Sequence, residues 1–239
     1  MTATLWAPWP TSVWFGMAAC LLLGALLGAA LPLWSARLLQ ALAWPPEADP
    51  APALIAPLWP VAPLQRKRAR GLWWAGSLLL TLGCALRFGA NWAALAAVIF
   101  LLALWMLAWV DARTGLLPDG LTQPLLWLGL LVNLDGTFAP LTEALLGAVA
   151  GYGIPWLIAH GYALLRRREG MGQGDFKMLA ALGAWLGWHA LPMVLLLASL
   201  CGLVMAAWLA WRRRLQADQA LVFGPWLALA GACVLLAGY

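Results

Sequence analysis

Two aspartates, Asp111 and Asp175, are the residues of this sequence best suited to do chemistry. The chain of 239 residues is 64% hydrophobic and has only 9 acidic side chains, and each of these two lies at the edge of an apolar segment. An ionisable group at membrane depth is costly, so it indicates a functional site. Two carboxylates that share a site cannot both ionise cheaply, so one keeps its proton. Together they can activate a water molecule for attack on a carbonyl group.

The first aspartate opens the motif Asp111-Ala-Arg-Thr-Gly-Leu-Leu-Pro118-Asp119. It ends an apolar run, where the partial negative charge at the carboxyl end of a helix disfavours a carboxylate. Helix capping is therefore a poor explanation for Asp111, and a solvated loop aspartate is the alternative. Asp119 follows Pro118, and we interpret this pair as loop support, with Asp119 as the N-cap of the next helix or a turn residue.

The second aspartate lies in the motif Gly170-Met-Gly172-Gln-Gly174-Asp175-Phe-Lys177. N-capping would explain Asp175 by itself, but it would not explain the two glycines before it. Gly172 and Gly174 permit positive φ and the close approach of another backbone, such as a substrate strand. For Lys177 we expect a contact with lipid headgroups rather than a catalytic role.

The predicted helix ends also suggest which aspartate holds the charge. Asp175 lies at a helix amino end, which carries partial positive charge, and Asp111 lies at a carboxyl end. We therefore expect Asp175 to be ionised and Asp111 to hold the proton.

The elements that position these residues are predicted to be transmembrane helices. The mean hydropathy is +0.85 and charged residues make up 10% of the chain, and several apolar stretches reach the ~18 residues that span a bilayer. The fold class is therefore all-α, a polytopic helical bundle, because a lipid-exposed backbone must satisfy its own hydrogen bonds. We predict eight spans, at approximately 13–34, 71–87, 90–110, 121–134, 142–165, 176–187, 189–211 and 219–238.

Charge bias orients this bundle with the N-terminus outside, which is periplasmic in a bacterial inner membrane. In that orientation 13 of the 14 basic residues fall inside, and Arg87 is the exception. Both aspartates then lie on the cytoplasmic side at similar depth. The net charge of +5 sits in short clusters between the spans, so it predicts topology and a lipid bilayer as partner, with no nucleic acid. The four cysteines and two histidines lack metal-ligand spacing, so no metal is predicted.

The two motifs together resemble those of the type IV prepilin peptidase family, which are membrane aspartic peptidases of the GxGD kind. The segments 117–133, 147–152 and 169–187 are similar to the family's core regions, and Phe223-Gly-Pro-Trp-Leu-Ala228 resembles its C-terminal motif. The resemblance covers roughly residues 90–239. It implies that residues 71–239 form the peptidase core, with Asp111 and Asp175 as the catalytic pair.

The resemblance also implies a substrate and a second activity. The enzyme would remove the basic leader of type IV prepilins or type II secretion pseudopilins after a glycine, on the cytoplasmic side. The family's second activity is methylation of the new N-terminal residue with S-adenosylmethionine, whereas proteolysis needs no cofactor. Many members bind zinc through two CxxC pairs, but residues 1–70, the first span and a proline-rich basic loop, lack them, so no zinc is expected.

Two alternatives come from other classes of protein. A proton-coupled transporter would use intramembrane carboxylates near the bilayer midplane and discontinuous helices in an inverted repeat. A non-catalytic assembly protein of the secretion apparatus would tolerate the loss of either carboxylate.

Overall fold

A computed structural model of the chain describes residues 22, 26, 67–89, 91–166, 172–212 and 222–238. These ranges hold seven α-helices and two 3-10 helices, and no β-strand. The α-helices are α1 (Lys67–Phe88), α2 (Trp92–Thr114), α3 (Asp119–Val132), α4 (Leu141–Arg166), α5 (Gln173–Leu186), α6 (Leu191–Trp211) and α7 (Gly224–Ala237). Apart from Leu22 and Leu26, which are helical, the predicted first span lies outside the described residues, as does most of the loop after it.

The all-helical prediction is confirmed for the described residues, where each predicted span coincides with one α-helix. In the part of the chain that the structure describes, three segments are long and apolar enough to cross a membrane, namely Trp92–Thr114, Leu141–Leu165 and Trp188–Trp211. Helices α3 and α5 have 14 residues each, and at 1.5 Å per residue they are about 21 Å long. This is shorter than a hydrocarbon core of about 30 Å.

Helix α2 lies at the centre of the bundle. Inside its apolar segment 72% of the residues are buried, compared with 22% in the apolar segments of α4 and α6. The short helix α5 is also enclosed, with every residue from Phe176 to Leu186 buried except Lys177. The outer helices α4 and α6 present leucines on their exposed faces, as expected of surfaces that contact lipid.

Helices α4 and α5 cross with their backbones in contact because glycines line the crossing. A Cβ atom at Gly151 would lie 2.5 Å from the carbonyl oxygen of Leu179. Gly147 and Gly183 are so close that a side chain on either residue would overlap the backbone of the other. Small residues four positions apart permit such close packing between membrane helices. The crossing fixes α5, which carries the second aspartate, along α4.

The side chain of Trp185 joins α5 to α2 and α3. It is fully buried, and its Nε1 donates a hydrogen bond of 2.8 Å to the carbonyl oxygen of Leu125. Its ring stacks on Phe100 with the ring centroids 4.5 Å apart. A buried indole N–H needs a partner of this kind, so the contact specifies how α5 lies against α3.

Asn133 forms a second buried connection beside the carboxyl end of α5. Its Nδ2 donates to the carbonyl oxygens of Ala184 and Trp185, at 2.9 and 3.0 Å. Its Oδ1 accepts from the N–H groups of Phe138 and Ala139, at 2.9 and 3.2 Å. The last carbonyls of a helix lack partners within the helix, so Asn133 satisfies two of them and orders the loop before α4.

Arg87, the predicted exception to the charge bias, has a structural contact at the end of α7. Its Nε donates a 3.2 Å hydrogen bond to the carbonyl oxygen of Leu236. A side chain at Gly238, which has φ of 77°, would overlap the guanidinium group. A basic side chain near a helix carboxyl end binds its free carbonyls favourably.

Candidate active site

Asp111 lies in the last turn of α2 and its side chain points into the protein. Only 4% of the residue is exposed. The helix ends at Gly115, which has φ of 63° and donates its N–H to the carbonyl oxygen of Asp111 at 2.8 Å. Glycine adopts this left-handed conformation without strain, so the chain turns sharply just after the aspartate. The solvated-loop interpretation of Asp111 is therefore wrong.

The loop between α2 and α3 is held by Thr114. Its hydroxyl donates to the carbonyl oxygen of Val110 at 2.9 Å and accepts from the N–H of Leu116 at 3.1 Å. The N-cap of α3 is Pro118, with extended backbone and no side-chain hydrogen bond. The interpretation of Asp119 as the N-cap is therefore wrong, because Asp119 is already the first residue of the helix.

Leu117 brings the two motifs together. A Cβ atom at Gly174 would lie 2.8 Å from the Cβ of Leu117, so only glycine leaves room for this contact. Of the two possibilities that glycine permits here, positive φ is not used, since neither Gly172 nor Gly174 is among the described glycines with positive φ. Gly172 is instead the N-cap of α5, with φ of −69°. The glycine at 174 is required by close packing rather than by backbone conformation.

Asp175 lies in the first turn of α5, three residues after the N-cap, so the capping interpretation fails for it as well. Helix α5 is outside the three segments able to cross a membrane. Burial raises the pKa of the Asp175 carboxyl to about 6, because a charged group loses hydration inside the protein. The carboxylate of Asp175 is near enough to Asp111 for its charge to act on that residue.

Lys177 and Asp119 form an ion pair across the two motifs. The Nζ of Lys177 lies 2.6 Å from Oδ1 of Asp119, and the two side chains are 24% and 62% exposed. The headgroup contact expected for Lys177 is not what the structure shows, because its ammonium group pairs with α3 instead. The pair lies on the same side of the bundle as Asp175, two residues away on α5.

Gly224 is a site residue that the sequence did not assign to the site, although it lies in the segment Phe223–Ala228 that resembles the family's C-terminal motif. Its backbone N–H donates a buried hydrogen bond of 2.9 Å to Oδ2 of Asp111, from 113 residues further along the chain. A Cβ atom at this glycine would lie 2.8 Å from Cγ of Asp111. The signal in the sequence is the Gly-Pro pair that opens α7, since proline at the first positions marks a helix start.

The arrangement suits acid–base chemistry without a metal ligand set. Within the described ranges no three His, Cys, Asp or Glu side chains are grouped as a metal site would need. Instead, the buried carboxyl group of Asp111 at the carboxyl end of α2 and the partly buried one of Asp175 at the amino end of α5 are near enough for their charges to interact. Such a pair can share a proton, with one member acting as base and the other as acid.

Both aspartates fall within a segment that matches known proteins. The model of the type IV leader peptidase family matches residues 98–207. This segment belongs to the type IV leader peptidase family. The resemblance predicted from the two motifs is therefore confirmed. Gly224 lies beyond the matched segment.

Similar proteins from three bacteria carry the name prepilin leader peptidase/N-methyltransferase. The one from Dickeya chrysanthemi is 55% identical over 164 residues, which is 68% of this chain and 52% of the relative. The one from Burkholderia pseudomallei strain K96243 is 50% identical over 159 residues, 66% of this chain and 52% of the relative. The one from Neisseria gonorrhoeae is 48% identical over 147 residues, which is 62% of this chain and 50% of the relative.

The aligned region thus spans about half the length of these curated relatives. No solved structure matches the chain significantly.

Proposed function

We propose that this protein is a membrane aspartic endopeptidase that removes the basic leader of type IV prepilins or type II secretion pseudopilins after a glycine. The observation that carries the proposal is the proximity of Asp111 and Asp175, which is close enough for the charge of one to act on the other. The carboxyl group of Asp111 is buried and that of Asp175 is partly buried. Both lie in the segment that matches the leader peptidase family.

In the proposed reaction the two carboxyl groups have different roles. Asp175, whose pKa is about 6, is mostly ionised at neutral pH and accepts a proton from a water molecule. The water oxygen attacks the scissile carbonyl carbon while protonated Asp111 donates to the carbonyl oxygen. The C–N bond then breaks as the leaving amine takes the proton held by Asp175, while a hydroxyl of the tetrahedral intermediate returns a proton to Asp111, so that a carboxylic acid forms and the pair is restored. The chemistry needs no cofactor.

The proposal includes a place in the membrane. Eight spans, with the N-terminus periplasmic, would put both aspartates at the cytoplasmic face of a bacterial inner membrane. The support is the charge bias, since 13 of the 14 basic residues then fall inside. Residues 1–70 would form the first span and a cytoplasmic loop, and residues 71–239 the peptidase core. A basic leader would meet the site from the cytoplasm while the substrate's apolar segment stays in the bilayer.

Methylation is the second activity of the proposal, because the names of the relatives include N-methyltransferase. S-adenosylmethionine would be the methyl donor, and the new N-terminal amine of the product would be the acceptor. No described residue is assigned to this step.

The transporter alternative is not favoured. It requires carboxylates near the middle of the membrane helices. Asp111 lies instead in the last turn of α2, and Asp175 in the first turn of α5. The relatives also carry the name of a peptidase.

Leader removal in cells tests the proposal directly. The protein is co-expressed with a prepilin, and cleavage is followed for wild type, Asp111→Asn and Asp175→Asn. Asp135→Asn is the matched control, because Asp135 is exposed in the 3-10 helix after α3. We expect cleavage to be lost in the first two variants and kept in the control. Cleavage that persists in either of the first two variants would refute the peptidase mechanism. It would favour the non-catalytic assembly protein, which tolerates the loss of either carboxylate.

Mass spectrometry of the same cleaved product reports the methylation. A product whose N-terminus carries one added methyl group supports the second activity. A product that stays unmethylated when S-adenosylmethionine is supplied contradicts it and leaves the peptidase proposal untouched.

A further inference from the structure

The amino end of α7 contacts the carboxylate of Asp111. Gly224 is the first residue of this helix, and its N–H donates to Oδ2 of Asp111 at 2.9 Å in the buried interior. The first N–H groups of any α-helix have no partner within the helix. In α7 the N–H groups of Trp226 and Leu227 both bond to the carbonyl oxygen of Phe223, and Pro225 has no N–H. Gly224 therefore provides the backbone donor that meets the aspartate.

The absence of a side chain at residue 224 permits this contact. A Cβ atom there would lie 2.8 Å from Cγ of Asp111 and 3.2 Å from its Cβ, with the bonded oxygen closer still. The neighbouring atoms belong to a short side chain at the end of α2, which is itself packed, so they cannot swing away as the end of a long side chain could. Only glycine allows the amino end of α7 to approach the carboxyl group.

We propose that Gly224 is a positioning residue for Asp111, which holds the carboxyl group in one orientation through its N–H and through its lack of a side chain. The catalytic consequence rests on the proposed peptidase function, whereas the hydrogen bond itself does not. Gly224 lies outside the segment 98–207 that matches the family. The peptidase site is then completed by the last helix of the chain.

The contact also affects how the pair of aspartates carries charge. An N–H donor and the positive end of a helix both stabilise an ionised carboxylate. At Asp111 these oppose the negative carboxyl end of α2, whose partial charge favours the protonated form. Gly224 thus keeps Asp111 able to give up its proton during the reaction and recover it afterwards. Without this donor, Asp111 would hold its proton to higher pH.

Peptidase kinetics test the consequence for catalysis. Gly224→Ala should lower kcat by about 100-fold, since a displacement near 1 Å at a catalytic group has effects of this order. KM should stay within about twofold, because substrate binding is not altered. The alkaline limb of the pH profile, which reports loss of the proton from Asp111, should move to higher pH as well. A merely structural loss of folded enzyme would scale the whole profile without moving that limb.

Two other glycines serve as controls. Gly202 lies beside the start of α7, and the methyl group added by Gly202→Ala would make an ordinary van der Waals contact with Trp226 at 3.6 Å. Gly153→Ala lies on α4 with open space around it. Both should keep kcat and the pH profile of the wild type. A wild-type profile in Gly224→Ala as well would overturn the proposal.

Nuclear magnetic resonance of the wild-type protein tests the hydrogen bond even if Gly224→Ala fails to fold. Labelling phenylalanine carbonyls with ¹³C and glycine nitrogens with ¹⁵N selects the three Phe–Gly amides of the chain, at Gly16, Gly89 and Gly224. Gly16→Ala and Gly89→Asn assign the first two, because asparagine tolerates the left-handed φ of residue 89. The third amide signal then belongs to Gly224.

The Gly224 amide should shift as Asp111 titrates, and this shift should vanish in Asp111→Asn. An amide signal that ignores pH, or whose titration survives in Asp111→Asn, would overturn the proposal. This outcome is independent of peptidase activity. If leader cleavage fails but the Gly224 amide titrates with Asp111, the proposed function is refuted and the hydrogen bond from Gly224 to Asp111 still stands.

Discussion

The indole ring of Trp185 on α5 occupies the space beside Gly129 on α3 that any side chain at residue 129 would need. A Cβ atom there would lie 2.5 Å from Cδ1 and 2.7 Å from Nε1 of the ring. The same nitrogen donates to the carbonyl oxygen of Leu125, one turn earlier on α3. Glycine and tryptophan therefore set the distance between the two short helices. Because α5 carries Asp175 and α3 follows Asp111, this distance fixes the spacing of the candidate site.

Gly129→Ala should destabilise the protein by about 1–3 kcal/mol, because the added methyl overpacks a fully buried contact. Thermal unfolding in detergent measures the change. Gly120→Ala on the same helix is the control, since the structure leaves open space around residue 120. Equal unfolding temperatures for the two variants would contradict the packing assigned to Trp185.

Asn133→Leu should cost more than a typical substitution, because four backbone groups lose their partner at once. An unsatisfied buried donor or acceptor costs about 1–3 kcal/mol, so we expect a loss of at least about 3 kcal/mol. Asn91→Ala is the comparison, since the Asn91 side chain is an N-cap that accepts from the N–H of Ala94. Losing an N-cap costs about 1 kcal/mol. Chemical unfolding in detergent measures the loss of stability in each variant. Equal losses in Asn133→Leu and Asn91→Ala would contradict the four hydrogen bonds assigned to Asn133.

The sequence predicts the helices well because apolar runs between basic clusters are a strong signal. It also identifies the two aspartates, since a carboxylate at the end of an apolar run needs an explanation. The sequence does not predict which residue is the N-cap of the helix in each motif. Proline at 118 and glycine at 172 are the N-caps, whereas the known preferences favour aspartate and asparagine. Asp119 is instead the first residue of α3, and it pairs with Lys177.

Contacts between segments far apart in the sequence account for the other features of the site that the sequence did not predict. The tight packing of Gly174 on Leu117 and the bond from Gly224 to Asp111 depend on how helices meet in three dimensions. A glycine can be needed for a turn, for close packing against another segment, or for neither. A single sequence does not distinguish these three cases. Gly120 and Gly153, for example, have open space around them.

The ion pair between Lys177 and Asp119 should stabilise the protein by no more than about 1 kcal/mol, because Asp119 is 62% exposed. Its effect on activity should be larger, since it ties the amino end of α3 to the turn that holds Asp175. We expect Lys177→Asp to reduce leader cleavage and the swap Lys177→Asp with Asp119→Lys to recover part of it. A double-mutant cycle on cleavage rate measures the coupling. Additive effects would show that the pair does not position the site.

Asp175→Asn should stabilise the protein at alkaline pH while abolishing its activity. The pKa of Asp175 is about 6 in the folded protein against an ordinary 3.8, so between about pH 4 and 6 the folded state binds more protons than the unfolded state. Stability therefore falls as pH rises through this window. The shift corresponds to about 3 kcal/mol at most, less the roughly 0.3–1 kcal/mol that a carboxylate gains at a helix amino end.

We expect Asp175→Asn to raise the free energy of unfolding by about 1–2 kcal/mol near pH 8 and to leave it nearly unchanged near pH 3, below the ordinary pKa of 3.8, where the carboxyl group is mostly neutral in both states. Thermal unfolding of detergent-solubilised protein at the two pH values measures both changes. The exposed Asp135→Asn is the matched control and should stay within about 0.5 kcal/mol at either pH. A variant less stable than wild type near pH 8 would show that Asp175 stabilises the fold. In that case burial of the carboxylate could not be the source of its raised pKa.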